Sequence, residues 1–415
     1  MTLREQLTEH IDVFGVFSPV APDALARVAD GFGRALAGPE GRTGRRRNLG
    51  LGKWGQLRER ELRDLPALVR RATVEYPAGL TIPELAEETA ARGYDVLPLA
   101  LSISGELLAV MVPHAFFDGQ SIWKLVESAF AYAVDAPLER TTAEPTPFPV
   151  YRALKHAKLD RPSVLVDRFR ESKAAAAATD SAPLPGGPIT ISRERRRTGY
   201  ASVFLDADRI AAVEKQPIEG RATRGMRLIA LGLDAFADAA PEGLDMRIRT
   251  MIDARRYLPK DAYVDGSFSV GYPLGMLRST DNSPGALTSR LAGILTSKAP
   301  LATLAGDLAS VAKRQATRLV SGEETPFELG SLEVGVSILP ARMPEGFWLR
   351  DGGRVSATMH YHATMPSNPF LQVAEVGTGV SIGLWDETGA IDRARFVQAV
   401  LDRVSGTVPT MLERA

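Results

Sequence analysis

The chain has 415 residues, long enough that its apolar surface is expected to divide between two cores rather than one. Apolar residues make up 45% and charged residues 24%, and the 50 Lys and Arg balance the 50 Asp and Glu. No global field therefore draws nucleic acid or an anionic surface. The absence of cysteine excludes disulfides, thiolate metal sites and a cysteine nucleophile.

Met1 to Val13 carries four charged residues and no apolar core of signal-peptide length, so the expected location is the cytoplasm. Ile11 to Phe17 is rich in Val, Ile and Phe and predicts a strand. Leu25, Val28, Ala29 and Phe32 share one face of a helix over Pro22 to Leu36. A second helix runs from Ile82 to Arg92, with Pro83 in its first turn and Gly93 as its stop. Val96 to Ser102 and Leu107 to Pro113 read as two strands about a turn at Gly105-Glu106. The apolar stretch from Val96 to Phe117 is interrupted by Gly105, Glu106, Pro113 and His114, which excludes a membrane span there. Helical spacing returns over Ser121 to Val134.

Five alanines, Ala174 to Ala178, lead into Ser181-Ala-Pro-Leu-Pro-Gly-Gly-Pro188, a composition that cannot continue a helix. The chain is accordingly divided into a lobe over 1–175, a linker over 176–198 and a lobe over 199–415. The second half restarts with a strand, Tyr200 to Leu205, and a helix opened by Asp206. Helices follow over Leu287 to Leu319, broken near Pro300. Leu332 to Leu339, Val355 to Ala363 and Phe370 to Leu384 read as strands, and Ile391 to Val404 as a closing helix. The class is α/β (α+β), with mixed sheets and helices in both lobes.

Of the five histidines, His114 stands where chemistry is easiest to place. It leaves the end of an apolar strand, so the sheet behind it can aim the ring. An unperturbed imidazole accepts a proton at neutral pH. Gly119 permits a tight turn, and the helix beginning near Ser121 points free amides back toward that turn, where they can stabilise an oxyanion.

His114-Ala-Phe-Phe-Asp118-Gly119-Gln-Ser121 resembles the HHxxxDGxS motif of the chloramphenicol acetyltransferase-like superfamily, which includes peptide condensation domains, BAHD acyltransferases and polyketide-associated acyltransferases. Met251-Ile-Asp253-Ala-Arg255, followed by Asp265-Gly266-Ser267-Phe268, is similar to that family's strand ending in arginine and its Gly-Asn-Phe-like segment. The resemblance implies two lobes meeting along a substrate tunnel with His114 at its middle. It implies that His114 takes the acceptor's proton, that Asp118 pairs with Arg255 to hold the loop, and that Gly119 and Ser121 complete the motif. An acyl thioester on coenzyme A, or on the phosphopantetheine arm of an acyl or peptidyl carrier protein acting in trans, is the implied co-substrate. The implied acceptor is a small-molecule hydroxyl or amine, and no cofactor is permanently bound. Pro113 replaces the first histidine and Ser267 the asparagine, and no Asp-Phe-Gly-Trp-Gly segment marks a plant-type enzyme. A non-catalytic condensation-like module that recruits a partner enzyme is the alternative; His114, Asp118, Gly119 and Arg255 together speak against it.

His360 and His362 share one face of a strand, where they can line the substrate path or share a metal. No third ligand accompanies them, so substrate binding is the favoured reading. Ser337 is a candidate donor to a substrate carbonyl. His10 and His156 read as surface residues. Two basic clusters, Arg42 to Lys53 and Arg193 to Arg197, are candidate docking points for phosphate or an acidic carrier, though solvated loops are the favoured reading. Phosphate-loop patterns and the GxSxG of a hydrolase are absent.

Overall fold

Runs of β-branched and apolar residues, punctuated by Gly, Pro and capping residues, set out eleven strands and eleven helices among the described residues. They are seen in a computed structural model that describes residues 11–37, 64–95, 97–114, 119–137, 146–177, 199–264, 268–279, 282–321, 333–341, 346–348, 354–361, 368–376, 379–386 and 388–406. In chain order the elements are β1 (Ile11–Ser18), α1 (Pro22–Ala37), α2 (Leu65–Ala72), β2 (Thr73–Tyr76), α3 (Ile82–Arg92), β3 (Ala100–Ser104), β4 (Leu107–Pro113), α4 (Gly119–Ala133), α5 (Pro149–His156) and α6 (Pro162–Ala177). Then come β5 (Tyr200–Leu205), α7 (Ala207–Lys215), α8 (Arg224–Ala239), β6 (Arg247–Asp253), a 3-10 turn (Ala254–Tyr257), β7 (Ser269–Met276), α9 (Pro284–Ser297) and α10 (Ala299–Ser321). The last elements are β8 (Glu333–Ala341), β9 (Arg354–Tyr361), β10 (Phe370–Val376), β11 (Gly379–Trp385) and α11 (Arg393–Ser405).

The strands form two mixed sheets, ordered β2-β3-β4-β1-β9 and β5-β11-β10-β8-β6-β7. Strand β9, 354–361 in the chain, pairs antiparallel with β1 at the start of the chain, so the first sheet is completed from the second half. The alternation of β1 directs its two faces to different cores. Val13 and Phe17 pack with α1 and α4, through Val28, Phe32, Leu125 and Phe130. Phe14 and Val16 pack with Met111, with Leu85 of α3 and with Tyr200, Phe370 and Trp385 of the second sheet. The Phe14 and Trp385 rings lie 6.3 Å apart, which marks where the two sheets meet.

The helix ends follow the expected chemistry. Thr81 and Glu84 form a reciprocal capping box at the start of α3, and Gly93 ends it at φ 67°. The Glu84 carboxyl is held below its usual range by its hydrogen bonds to the Thr81 backbone and hydroxyl. Helix α1 crosses α4 closely: a Cβ on Gly31 would lie 2.1 Å from the Ala129 carbonyl oxygen.

Two boundaries differ from the sequence reading. The strand expected at Val96 to Ser102 starts at Ala100, because the chain bends at 97–98, and it extends to Ser104. The run Phe370 to Leu384 is two antiparallel strands, with Val376 facing Gly379. The helix break expected near Pro300 is found at Lys298, which is left-handed at φ 61°, with Pro300 in the first turn of α10. Helix α6 runs to Ala177, and the remainder of the expected linker lies outside the described residues. Among the described residues no helix is long and apolar enough to cross a membrane.

Candidate functional site

Strand β4 is apolar throughout, and all but its first residue are buried. It ends at Pro113, so His114 is the first residue beyond the ladder, and it is 2% exposed. The register places it: Asp12 of β1 faces Pro113 of β4 on one side and His360 of β9 on the other. With strands about 4.8 Å apart, Pro113 and His360 backbones stand roughly 10 Å from each other across Asp12. Two rows along, on the same face, Phe14 with Met111 belongs to the core where the sheets meet. His114 thus leaves a rigid strand end beside the seam between the two lobes.

Helix α4 begins at Gly119, five residues on, and Ser121 in its first turn is 3% exposed. Asp118 lies outside the described residues, as do His362 and Ser267.

On the second sheet, Arg255 makes these contacts among the described residues. Asp253 ends β6, and its carboxylate accepts from the Arg255 backbone N–H at 3.0 Å, which starts the 3-10 turn. The same carboxylate accepts from Arg255 Nη1 at 3.0 Å, and Arg255 Nε donates to the Val264 carbonyl at 3.2 Å. The guanidinium is 14% exposed, and among the described residues these contacts tie it to Asp253 and Val264. Ser337 is half-buried on β8, opposite Gln372 of β10, whose side-chain amide donates to the Ser337 carbonyl at 2.9 Å. The register therefore brings His114 and His360 to one end of the first sheet, while Arg255 and Ser337 belong to the second.

One buried polar pair beside the site was missed by the sequence reading. The Tyr94 hydroxyl, just past α3, donates to Asp12 Oδ1 at 2.7 Å, and Asp12 is 2% exposed. Burial, and then the Asp12 carboxylate, hold the Tyr94 hydroxyl well above the usual tyrosine range, so it stays a donor. The signal in the sequence is an acid inside the apolar run Ile11 to Phe17, where an unpartnered carboxylate would be costly.

No family model matches the sequence, and no curated protein matches it. Solved structures do match along nearly the whole chain. The TRI3 trichothecene 15-O-acetyltransferase from Fusarium sporotrichioides aligns at a TM-score of 0.57 and 12% identity, over 97% of this chain and 93% of that one. The cyclization-docking bidomain of the EpoB peptide synthetase from Sorangium cellulosum aligns at 0.53 and 12% identity, over 98% of this chain and 82% of that one. The likeness is one of fold: with its two mixed sheets and surrounding helices, this chain has the chloramphenicol acetyltransferase-like fold.

Proposed function

We propose that this protein is an acyltransferase that moves an acyl group from a thioester to a hydroxyl or amine, with His114 as general base. The observation that carries the reading is the position of His114, buried at a strand end beside the seam of two lobes. The acceptor's O–H or N–H gives its proton to the imidazole as the heteroatom attacks the thioester carbonyl. The tetrahedral oxyanion collapses with loss of the thiolate, and the imidazolium returns the proton to that sulfur. Ester or amide and free thiol are the products, and the imidazole is neutral again.

The residues around His114 have supporting parts. Amides in the first turn of α4 offer donors to the oxyanion, with Gly119 allowing their approach. Ser121, Ser337, His360 and His362 are the proposed substrate contacts. Arg255, already tied to Asp253 and Val264, offers its remaining guanidinium hydrogens to Asp118, which would hold the loop after His114. The donor is coenzyme A or a carrier arm supplied in trans, and the setting is the cytoplasm.

The test is thiol release from a panel of acyl thioesters with alcohol and amine acceptors, for wild type and His114→Ala. Acceptor-dependent release that falls by a factor of at least about 10² in the folded variant is expected. Release that is unchanged in the variant refutes the role of His114. A folded wild type that releases no thiol with any pair points to the non-catalytic recruiting module.

A further inference from the structure

We propose that the outward face of α5, together with Phe148 at its start, docks the protein on an anionic lipid surface. Among the described large apolar side chains the most exposed are Phe148, at 81%, and Tyr151, at 59%, and they are only three residues apart. Around them stand Arg152, Lys155, Lys158 and Arg161, all exposed. Among the described residues none of these four side chains has an ion-pair or hydrogen-bond partner. Asp160 is the one acid between 148 and 161, so four cations and one anion leave that segment at +3.

The arrangement follows from helical spacing. On α5, Ala153 and Leu154 point inward, into a core shared with Ala254 and Tyr257 of the turn that carries Arg255. The opposite face is therefore left with Tyr151, Arg152 and Lys155. The entry to the helix is tied down as well: Thr146 N–H donates to the Tyr263 carbonyl at 2.7 Å, and Tyr263 N–H donates to the Thr146 hydroxyl at 2.8 Å. Phe148 itself is left-handed, at φ 50°. The aromatic and basic groups are thus presented by a fixed base.

Lipid fits this face better than a protein partner does. Eight helical residues, about 12 Å long and about 10 Å wide, present roughly 120 Å², far short of the roughly 800 Å² per partner that a stable protein interface requires. Long, unpaired cations around protruding rings suit a fluid layer of phosphates, which needs no complementary shape. Aromatic rings favour the membrane–water boundary, and each Lys or Arg near an anionic leaflet adds about 1 kcal/mol. Docking would set the turn bearing Arg255 about one helix diameter from the lipid, so that lipophilic acyl groups could pass to the candidate site. The docking itself stands apart from the acyl-transfer reading.

The experiment is co-sedimentation of the full chain with phosphatidylcholine vesicles, with and without phosphatidylserine, over a range of salt. Binding that needs phosphatidylserine and falls with salt is expected. The pair Arg152→Ala and Lys155→Ala should weaken partitioning about 25-fold, five-fold for each charge removed. Phe148→Ala should weaken it further, while Arg221→Ala, outside the segment, should not. A wild type that stays in the supernatant overturns the proposal, as does binding indifferent to the Arg152, Lys155 and Phe148 substitutions. Retention on an immobilised acidic protein through these residues, without vesicle binding, would assign the face to a protein partner and also overturn it.

Discussion

Tyr94→Phe tests whether the buried pair beside the candidate site holds the strand end in place. The substitution removes one hydroxyl and leaves the ring. Asp12, 2% exposed, then loses a donor at 2.7 Å that it cannot replace with bulk water. A hydrogen bond to a buried carboxylate contributes more than a neutral one, so the expected loss is about 2 kcal/mol near pH 7. Urea unfolding followed by tryptophan fluorescence measures it, since Trp385 lies in the same core as Phe14. The pH dependence adds a second readout. Tyr94 has its pKa raised in the folded state by burial and by Asp12. Its contribution is therefore complete below the unfolded tyrosine pKa of about 10, and is lost as pH rises through the folded value. The gap between wild type and variant should stay constant up to about pH 9 and narrow above about pH 10. A loss under about 0.5 kcal/mol, or a gap that stays level into the alkaline range, would refute the reasoning.

Three further substitutions probe what sets the lobes. Gly31→Ala places a methyl 2.1 Å from the Ala129 carbonyl oxygen, so α1 and α4 must separate; an unfolding free energy lower by about 1–3 kcal/mol, measured by urea unfolding, is expected. Glu333→Ala should cost about 3 kcal/mol by the same measurement, because it strips Arg247 of its bond at 2.9 Å while Arg247 is 11% exposed. Arg249, 37% exposed on the same carboxylate, should add little, so Arg249→Ala is expected to lower stability by under about 1 kcal/mol.

What could be read from the sequence depended on how far apart the interacting groups lie along the chain. Helix α3 announces itself through Thr81, Glu84 and Gly93, all within one short segment. His114 is legible for a similar reason: it breaks an apolar strand at a place where a loop must begin. The bend at 97–98 was not legible, because burial makes a short run apolar whether it is extended or bent. Strand β9 shows its alternation plainly, yet nothing in it names β1 as the partner, some 340 residues earlier. That pairing is decided by which edges and faces remain uncovered once both lobes are assembled.

The same distinction separates the two surfaces that carry the functional readings. The row Pro113, Asp12 and His360 draws on three strands far apart in sequence, so neither the row nor the Tyr94 hydroxyl beneath Asp12 could be composed from local pattern. The α5 face is contiguous, and its cations sit in one short segment, but contiguity alone does not expose it. Phe148 and Tyr151 would read equally well as core residues. Only the packing of Ala153 and Leu154 against the Arg255 turn fixes which side of the helix is spent on the core, and thereby leaves the two rings and their cations facing outward. Reversing that assignment would bury Arg152 and Lys155 against an apolar core with no acid to meet them, at a cost of several kcal/mol for each charge. The exposure of the aromatic pair is thus a consequence of where the charges on the same helix can be tolerated.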